Sequence, residues 1–297
     1  MCLMKTEEKR EYMAEKVGEI TLRDGTVLPQ VGMGTWQITD REIMKNLMKN
    51  AYDAGYRLVD TAAAYSNEIA VAKAIAEAGI PRSELVLSDK VWNTSRGYEA
   101  VQEACKRSLK KLKTDYLDIY LIHWPASMKL YENWAEINAE TWRGMEALYR
   151  DGYVKTIGVC NFKEHHLEAL SKTAEIMPFL NQIELHPGMR QEEIVKYCLL
   201  KGIQVEASSP LGNGQILQRK ELLELAEQKG KTTAQICLRW EIQQGVMVIP
   251  KTANRERLYQ NIDVFDFELT DEEMRFIDAI PYCGGIGIDS DEVTEFG

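Results

Sequence analysis

Four side chains, Asp60, Tyr65, Lys90 and His123, are of types that together can deliver a proton to an oxygen atom. A free tyrosine has a pKa of about 10 and is a poor acid–base group at neutral pH. An ammonium beside it favours the phenolate and lowers that value. A desolvated ammonium tends to lose its own proton, and a paired aspartate holds it charged and aimed. A neutral histidine can donate a hydrogen bond to a carbonyl oxygen. Such a set would protonate an oxygen that gains negative charge as a hydride arrives. Ala63 and Ala64 keep space open beside Tyr65.

Each residue also has a plainer explanation. Asp60 precedes a helix and can cap it, Lys90 can snorkel to the surface, and His123 can be a hydrogen-bonded structural residue. Their placement argues for a joint role. Asp60 ends the β-rich run "RLVD" (57–60), Lys90 ends "LVLSDK" (85–90), and His123 ends "LDIYLIH" (117–123). Three successive strands would then bring a carboxylate, an amine and an imidazole to one rim, with Tyr65 one short turn away.

The remaining runs are "VGMG" (31–34), "VKTIGV" (154–159), "LNQIE" (180–184), "IQVEAS" (203–208) and "VMVIP" (246–250). Amphipathic stretches separate them. Residues 41–54 place Ile43, Met44, Leu47, Met48 and Ala51 on one face, behind a capping-box pattern at Thr39 and Glu42, with Gly55 at the stop. Residues 99–112 repeat the pattern through Val101, Ala104, Cys105, Ser108 and Leu112, and "TTAQ" (232–235) and "TDEE" (270–273) are further capping boxes. Eight strands with helical crossovers predict an α/β fold, a (β/α)8 TIM barrel, whose chemistry sits at the C-terminal strand ends. The alternative is a doubly wound open sheet, weakened because no G-x-G-x-x-G follows the early strands. "EITLRDGTVLPQ" (19–30) predicts an N-terminal β-hairpin closing the barrel bottom. We read residues 1–297 as one barrel domain, with a charged extension over 1–17 and a glycine-rich acidic tail over 281–297.

Composition is that of a globular chain: 297 residues, 45% hydrophobic, 28% charged, net charge -10. The acidic balance argues against nucleic acid or an anionic membrane as partner. Six scattered cysteines without a C-x-x-C pair, a polar N-terminus and no long apolar run predict a soluble, cytoplasmic protein with reduced thiols.

The strand-end motifs resemble those of the aldo-keto reductase superfamily, in that family's order. They are "GMGTW" (32–36), "DTAAAYSNE" (60–68), "KVW" (90–92), "DYLDIYLIHWP" (115–125), "IGVCNF" (157–162), "NQIELHP" (181–187), "SPLG" (209–212) and "IPKTANRERLYQN" (249–261). Within the family the chain is similar to the bacterial diketogluconate reductase-like and prostaglandin F synthase-like branch. The resemblance implies a (β/α)8 barrel that reduces aldehydes and ketones to alcohols with NADPH, NADH being less favoured, and with no metal. It implies Tyr65 as general acid, Lys90 and Asp60 as the pair that tunes it, and His123 as the residue that orients the carbonyl.

For the cofactor, Asn161 and Gln182 carry amides complementary to a carboxamide, and the resemblance places the nicotinamide there. "IPKTANRER" opens a helix after the last strand, where backbone N–H groups favour phosphate. Lys251, Thr252 and Arg257 align with the family's site for the adenosine 2′-phosphate, and Gln260 and Asn261 with positions near the adenine. Gly34, Thr35, Trp36, Asp60, Cys160, Ser208, Ser209, Pro210 and Leu211 complete the expected cofactor contacts, the last three in the loop that covers the pyrophosphate. Two residues depart from the pattern. Ser208 replaces the aromatic residue that stacks on the nicotinamide, and Cys160 replaces a serine with a weaker donor.

Trp36, Trp92, His123 and Trp124 are the expected substrate pocket, with the tail as a partial lid. The expected partner is a small carbonyl compound, and the expected assembly a monomer or weak homo-oligomer. Two rivals remain open: a nicotinamide-nucleotide-sensing barrel without catalysis, and a metal-dependent barrel isomerase, for which Glu184 and Glu206 are the spare ligands near strand ends. The intact quartet argues against the first. His165, His166 and His186 read as structural or surface residues.

Overall fold

A computed structural model describes residues 17–293, so the charged extension read over 1–17 lies outside the described residues save for Val17. Strands β1 (Glu19–Thr21) and β2 (Val27–Pro29) pair antiparallel, with Ile20 opposite Leu28. This is the expected hairpin. Arg23 at its tip donates to the carbonyls of Pro178 and Gly202 at 2.7 and 3.2 Å. Those residues lie just ahead of strands that begin at Leu180 and Gln204, so the hairpin closes the N-terminal end of the sheet.

Eight parallel strands follow: β3 (Gly32–Gly34), β4 (Leu58–Asp60), β5 (Val86–Val91), β6 (Leu117–Ile122), β7 (Val154–Cys160), β8 (Leu180–Glu184), β9 (Gln204–Ser208) and β10 (Met247–Val248). They pair in chain order. The sheet then closes on itself, because Val31 bridges Val248 and the Val248 N–H donates to Gln30 O at 2.9 Å. Closure removes the open doubly wound sheet as an alternative. Around the strands lie α1 (Arg41–Ala54), α2 (Glu68–Glu77), α3 (Tyr98–Leu112), α4 (Trp134–Arg150), α5 (Glu164–Ser171), α6 (Glu192–Leu200), α7 (Lys220–Lys229), α8 (Thr233–Gln243), α9 (Arg255–Ile262) and α10 (Asp271–Asp278).

Local chemistry sets the helix ends. Thr232 with Gln235 and Thr270 with Glu273 form the expected capping boxes of α8 and α10. At α1 the expectation fails by one residue. Asp40, not Thr39, is the N-cap, its carboxylate accepting from Ile43 N at 2.9 Å. A carboxylate also answers the helix dipole, which a threonine hydroxyl does less well. Ile43, placed on the apolar face by periodicity, is instead exposed, while Met44, Leu47, Met48 and Ala51 are buried as expected. Gly55 ends α1 at φ 105.

Strand alternation decides what faces the barrel axis. On β5, Ser88 and Lys90 both reach Asp60 of the neighbouring strand, so they point inward. Leu87 and Asp89 then point out toward the helices. On β8 and β9, Gln182 stands in register with Glu206, and their side chains meet inside the barrel.

Candidate active site

The C-terminal strand ends open into one cavity of about 1180 Å³. Its walls include Tyr65, Trp92, His123 and Trp124, and also Lys251, Thr252, Arg257, Gln260 and Asn261. Gly34, Trp36, Asp60, Cys160, Asn161, Gln182, Ser208, Ser209, Pro210 and Leu211 line it as well. Two expected residues do not. Thr35 is fully buried, with its hydroxyl donating to Asp60 O at 2.9 Å, and Lys90 is fully buried behind Asp60 and Tyr65.

Lys90 is the hub. Its Nζ donates to Asp60 Oδ1 and Oδ2 at 2.7 and 2.6 Å, to Thr61 O at 3.1 Å and to the Tyr65 hydroxyl at 3.3 Å. Burial is the largest single influence and works against its charge, but the Asp60 carboxylate together with Tyr65 and Cys160 outweighs it, so its pKa rises above the ordinary amine value. Lys90 is thus held as the ammonium. Tyr65 sits on a short 3₁₀ turn, Ala63–Tyr65. Its pKa corrects the expectation of a lowered value. Burial raises it more than Lys90 lowers it, so the phenol is held protonated.

His123 presents its ring edge-on to Tyr65 and Trp92, with centroids 5.7 and 5.1 Å apart. Burial, then the Lys90 ammonium, hold its pKa well below the usual imidazole range. The neutral ring carries one proton. Nδ1 is buried and has no partner among the described residues. An unpaired lone pair there costs less than an unpaired N–H, which assigns the proton to Nε2.

Asn67, the residue just ahead of α2, is the brace of this corner. Its Nδ2 donates to Thr35 O and Ile38 O at 2.9 and 3.1 Å, and its Oδ1 accepts from Thr61 Oγ1 at 2.7 Å. It thereby ties the loops after β3 and β4 together. Only contacts across about thirty residues reveal that role; locally it is one more polar residue before a helix.

Just past β7, Asn161 has φ 62, a conformation that asparagine tolerates better than most residues. Its Nδ2 donates to His123 O at 3.0 Å, while its Oδ1 meets no donor among the described residues. That leaves an acceptor for a carboxamide NH2. Gln182 differs from expectation. Its Nε2 donates to Asp60 Oδ1 at 3.2 Å and to Glu206 Oε2 at 2.6 Å, and its Oε1 accepts the Cys160 thiol at 3.6 Å. Both donors are committed inside the protein, and only the Oε1 acceptor remains to meet a ligand. The carboxylates on both sides fix which end of the amide is which. Lys251 and Arg257 are exposed on the cavity wall and have no ion-pair partner among the described residues, so they fit a phosphate dianion. Ser208 brings no aromatic plane to the cavity.

The spare carboxylates do not converge. Glu206 is buried and bonded to Gln182, while Glu184 accepts from the backbone of Ile286 and Gly287. Among the described residues, the group with metal-ligand spacing is His165, His166 and Asp291. There His166 Nδ1 accepts from Lys163 N at 3.1 Å, which puts the ring proton on Nε2, facing Asp291 Oδ1 at 3.2 Å. A metal would need that lone pair, and Lys163 Nζ already sits 2.8 Å from Asp291 Oδ2. The group is an ion-pair tie for the tail. The described helices include none long and apolar enough to cross a membrane.

Comparison with known proteins agrees with the geometry. The model of the Aldo/keto reductase family matches residues 30–281. The chain is 44% identical to glyoxal reductase of Bacillus subtilis (strain 168) over 274 residues, covering 92% of this chain and 96% of the relative. It is 41% identical to methylglyoxal reductase DkgA of Escherichia coli (strain K12), covering 92% of this chain and 97% of the relative. A Gox0644 variant solved in complex with NADPH superposes with a TM-score of 0.86 at 35% identity, covering 94% of this chain and 99% of that one. A closed parallel barrel, a rim cavity and a family match over most of its length thus agree: the chain belongs to the aldo/keto reductase family, and it is an oxidoreductase that acts on carbonyl groups.

Proposed function

We propose that this protein reduces small aldehydes and ketones, 2-oxoaldehydes of the glyoxal and methylglyoxal type among them, using NADPH. The observation that carries the reading is the placement of Lys90 Nζ between the Asp60 carboxylate and the Tyr65 hydroxyl at the cavity floor. When bound, NADPH supplies the hydride that reaches the carbonyl carbon. The chain does the rest. His123, neutral and with its proton on Nε2, donates to the carbonyl oxygen and aims it at Tyr65. The Tyr65 phenol gives its proton to that oxygen. A reduction needs the acid protonated beforehand, and the raised pKa of Tyr65 meets that need. The Lys90 ammonium stabilises the phenolate as it forms, and Asp60 keeps Lys90 charged.

Asn161 Oδ1 and Gln182 Oε1 would hold the nicotinamide carboxamide. Lys251 and Arg257 would take the 2′-phosphate, with Thr252, Gln260 and Asn261 around the adenosine. Trp36, Trp92 and Trp124 would wall the substrate. Oxidation of NADPH, followed over a panel of glyoxal, methylglyoxal, simple ketones and sugars with NADH run beside it, tests the reading. Turnover of the small dicarbonyls with NADPH preferred is the expected result. No turnover of any carbonyl with either nucleotide would refute it.

A further inference from the structure

The C-terminal tail forms part of the cavity wall through Ile286, Gly287, Ile288, Asp289 and Ser290. Two sets of contacts hold it. The outer set joins Lys163 to Asp289 and Asp291, His165 to Asp291 and Lys129 to Glu292. Most of these side chains are a quarter to two-thirds exposed, and ion pairs in that setting contribute little. The inner set is different. Glu184, at the end of β8 and 7% exposed, accepts from Ile286 N at 2.5 Å and from Gly287 N at 2.7 Å, one oxygen to each. These are charge-assisted bonds shielded from water, about twice as strong as neutral ones.

His186 extends the contact. Its Nε2 lies 3.5 Å from Glu184 Oε1, and its Nδ1 lies 2.9 Å from Pro187 O. Two glycine backbones press on the imidazole. A Cβ on Gly285 would fall 2.3 Å from Glu184 Oε1 and 2.7 Å from His186 Nε2. A Cβ on Gly212 would fall 3.3 Å from the Cε1 of the same ring and 3.4 Å from each of its nitrogens. Gly212 belongs to the segment whose Ser209, Pro210, Leu211 and Gly214 line the cofactor end of the cavity. Tail and loop therefore both bear on one buried side chain. Glu184 also stands in register with Ser208, so the anchor and the open nicotinamide face are neighbours on the rim.

We propose that Glu184 is a positioning residue for substrate: its carboxylate clasps the tail across the cavity, and through His186 that clasp is linked to the loop over the cofactor. The substrate part rests on the reductase reading above. The link follows from packing, since whatever orders the loop also fixes one face of His186, and binding coupled in this way is reciprocal.

Hydrogen–deuterium exchange tests the clasp without reference to activity. In wild type, amides over 284–290 are expected to exchange slowly, and Glu184→Gln should speed them by about tenfold, the loss of one charge-assisted bond. The peptide over 85–91 in the barrel serves as the folding control and should not change. Gly285→Ala keeps Glu184 intact and pushes the tail away, so it should reproduce the effect. Unchanged exchange at 284–290 in both variants would overturn the clasp. Added NADPH should slow exchange at 284–290 in wild type; binding confirmed by fluorescence without that slowing would overturn the link. In turnover, Glu184→Gln should raise the KM for methylglyoxal by about tenfold with a smaller change in kcat. A loss confined to kcat would overturn the positioning role. A chain that turned over no carbonyl would fail the reductase reading while leaving the exchange result intact.

Discussion

Lys90 Nζ lies 2.6 and 2.7 Å from the two carboxylate oxygens of Asp60, and solvent reaches neither side chain beyond 2%. Breaking a buried pair by removing one partner leaves the other charged and uncompensated. Lys90→Met should therefore lose about 3–5 kcal/mol of stability as well as activity. Adding Asp60→Asn to it should recover part of the stability and none of the activity. Urea unfolding of the two single variants and the double variant gives the coupling energy. Strict additivity would show that the pair does not hold this corner of the barrel.

Asp89 faces the other way from Lys90. It is fully buried, and neither of its oxygens accepts a hydrogen bond of ordinary geometry, with Ser108 and the Lys90 backbone as its nearby donors. Burial, with the Glu68 carboxylate nearby, pushes its pKa to about 7. A carboxyl group raised in this way binds its proton more tightly when the chain is folded. Its effect on stability therefore worsens as pH rises from about 4 to about 7 and is constant above that. Asp89→Asn should stabilise the fold by on the order of 2–4 kcal/mol at pH 8 and by little near pH 4. Denaturant midpoints at the two pH values check this, and an equal effect at both would contradict it.

Lys251 and Arg257 stand at the cavity wall with no carboxylate to neutralise them among the described residues. Replacing both by alanine should raise the KM for NADPH at least about tenfold and leave that for NADH nearly unchanged. The ratio of the two specificity constants is the readout. A ratio like that of wild type would place the 2′-phosphate elsewhere.

Ser208 brings no ring to the proposed nicotinamide seat. Ser208→Tyr should lower the Kd for NADPH by about two- to tenfold, in line with the worth of an aromatic contact. Fluorescence titration measures it. Weaker binding in that variant would mean the space is already filled.

How far the sequence carried these conclusions differs from residue to residue. Asp60, Lys90 and His123 were legible because each closes a β-rich run, and a closed parallel barrel brings strand ends to one rim. The capping boxes at Thr232 and Thr270 were legible because a cap is local. Gln182 was read as a free amide. Its partners, Asp60 and Glu206, come from other strands, and register cannot be read from one strand alone. The sense of the Tyr65 shift was missed for a related reason. The charge of Lys90 can be inferred from type and spacing, but the burial that outweighs it depends on the whole pocket. The tail was read as a partial lid, but its clasp needs Glu184, 102 residues from Ile286 in the chain.

Proton transfer from Tyr65 is the central step of the proposed reduction, and Tyr65→Phe removes that proton while keeping the ring. With methylglyoxal as substrate, kcat should fall at least about 100-fold while the Kd for NADPH stays within about twofold of wild type. Turnover within about tenfold of wild type, with the cofactor still bound, would contradict it.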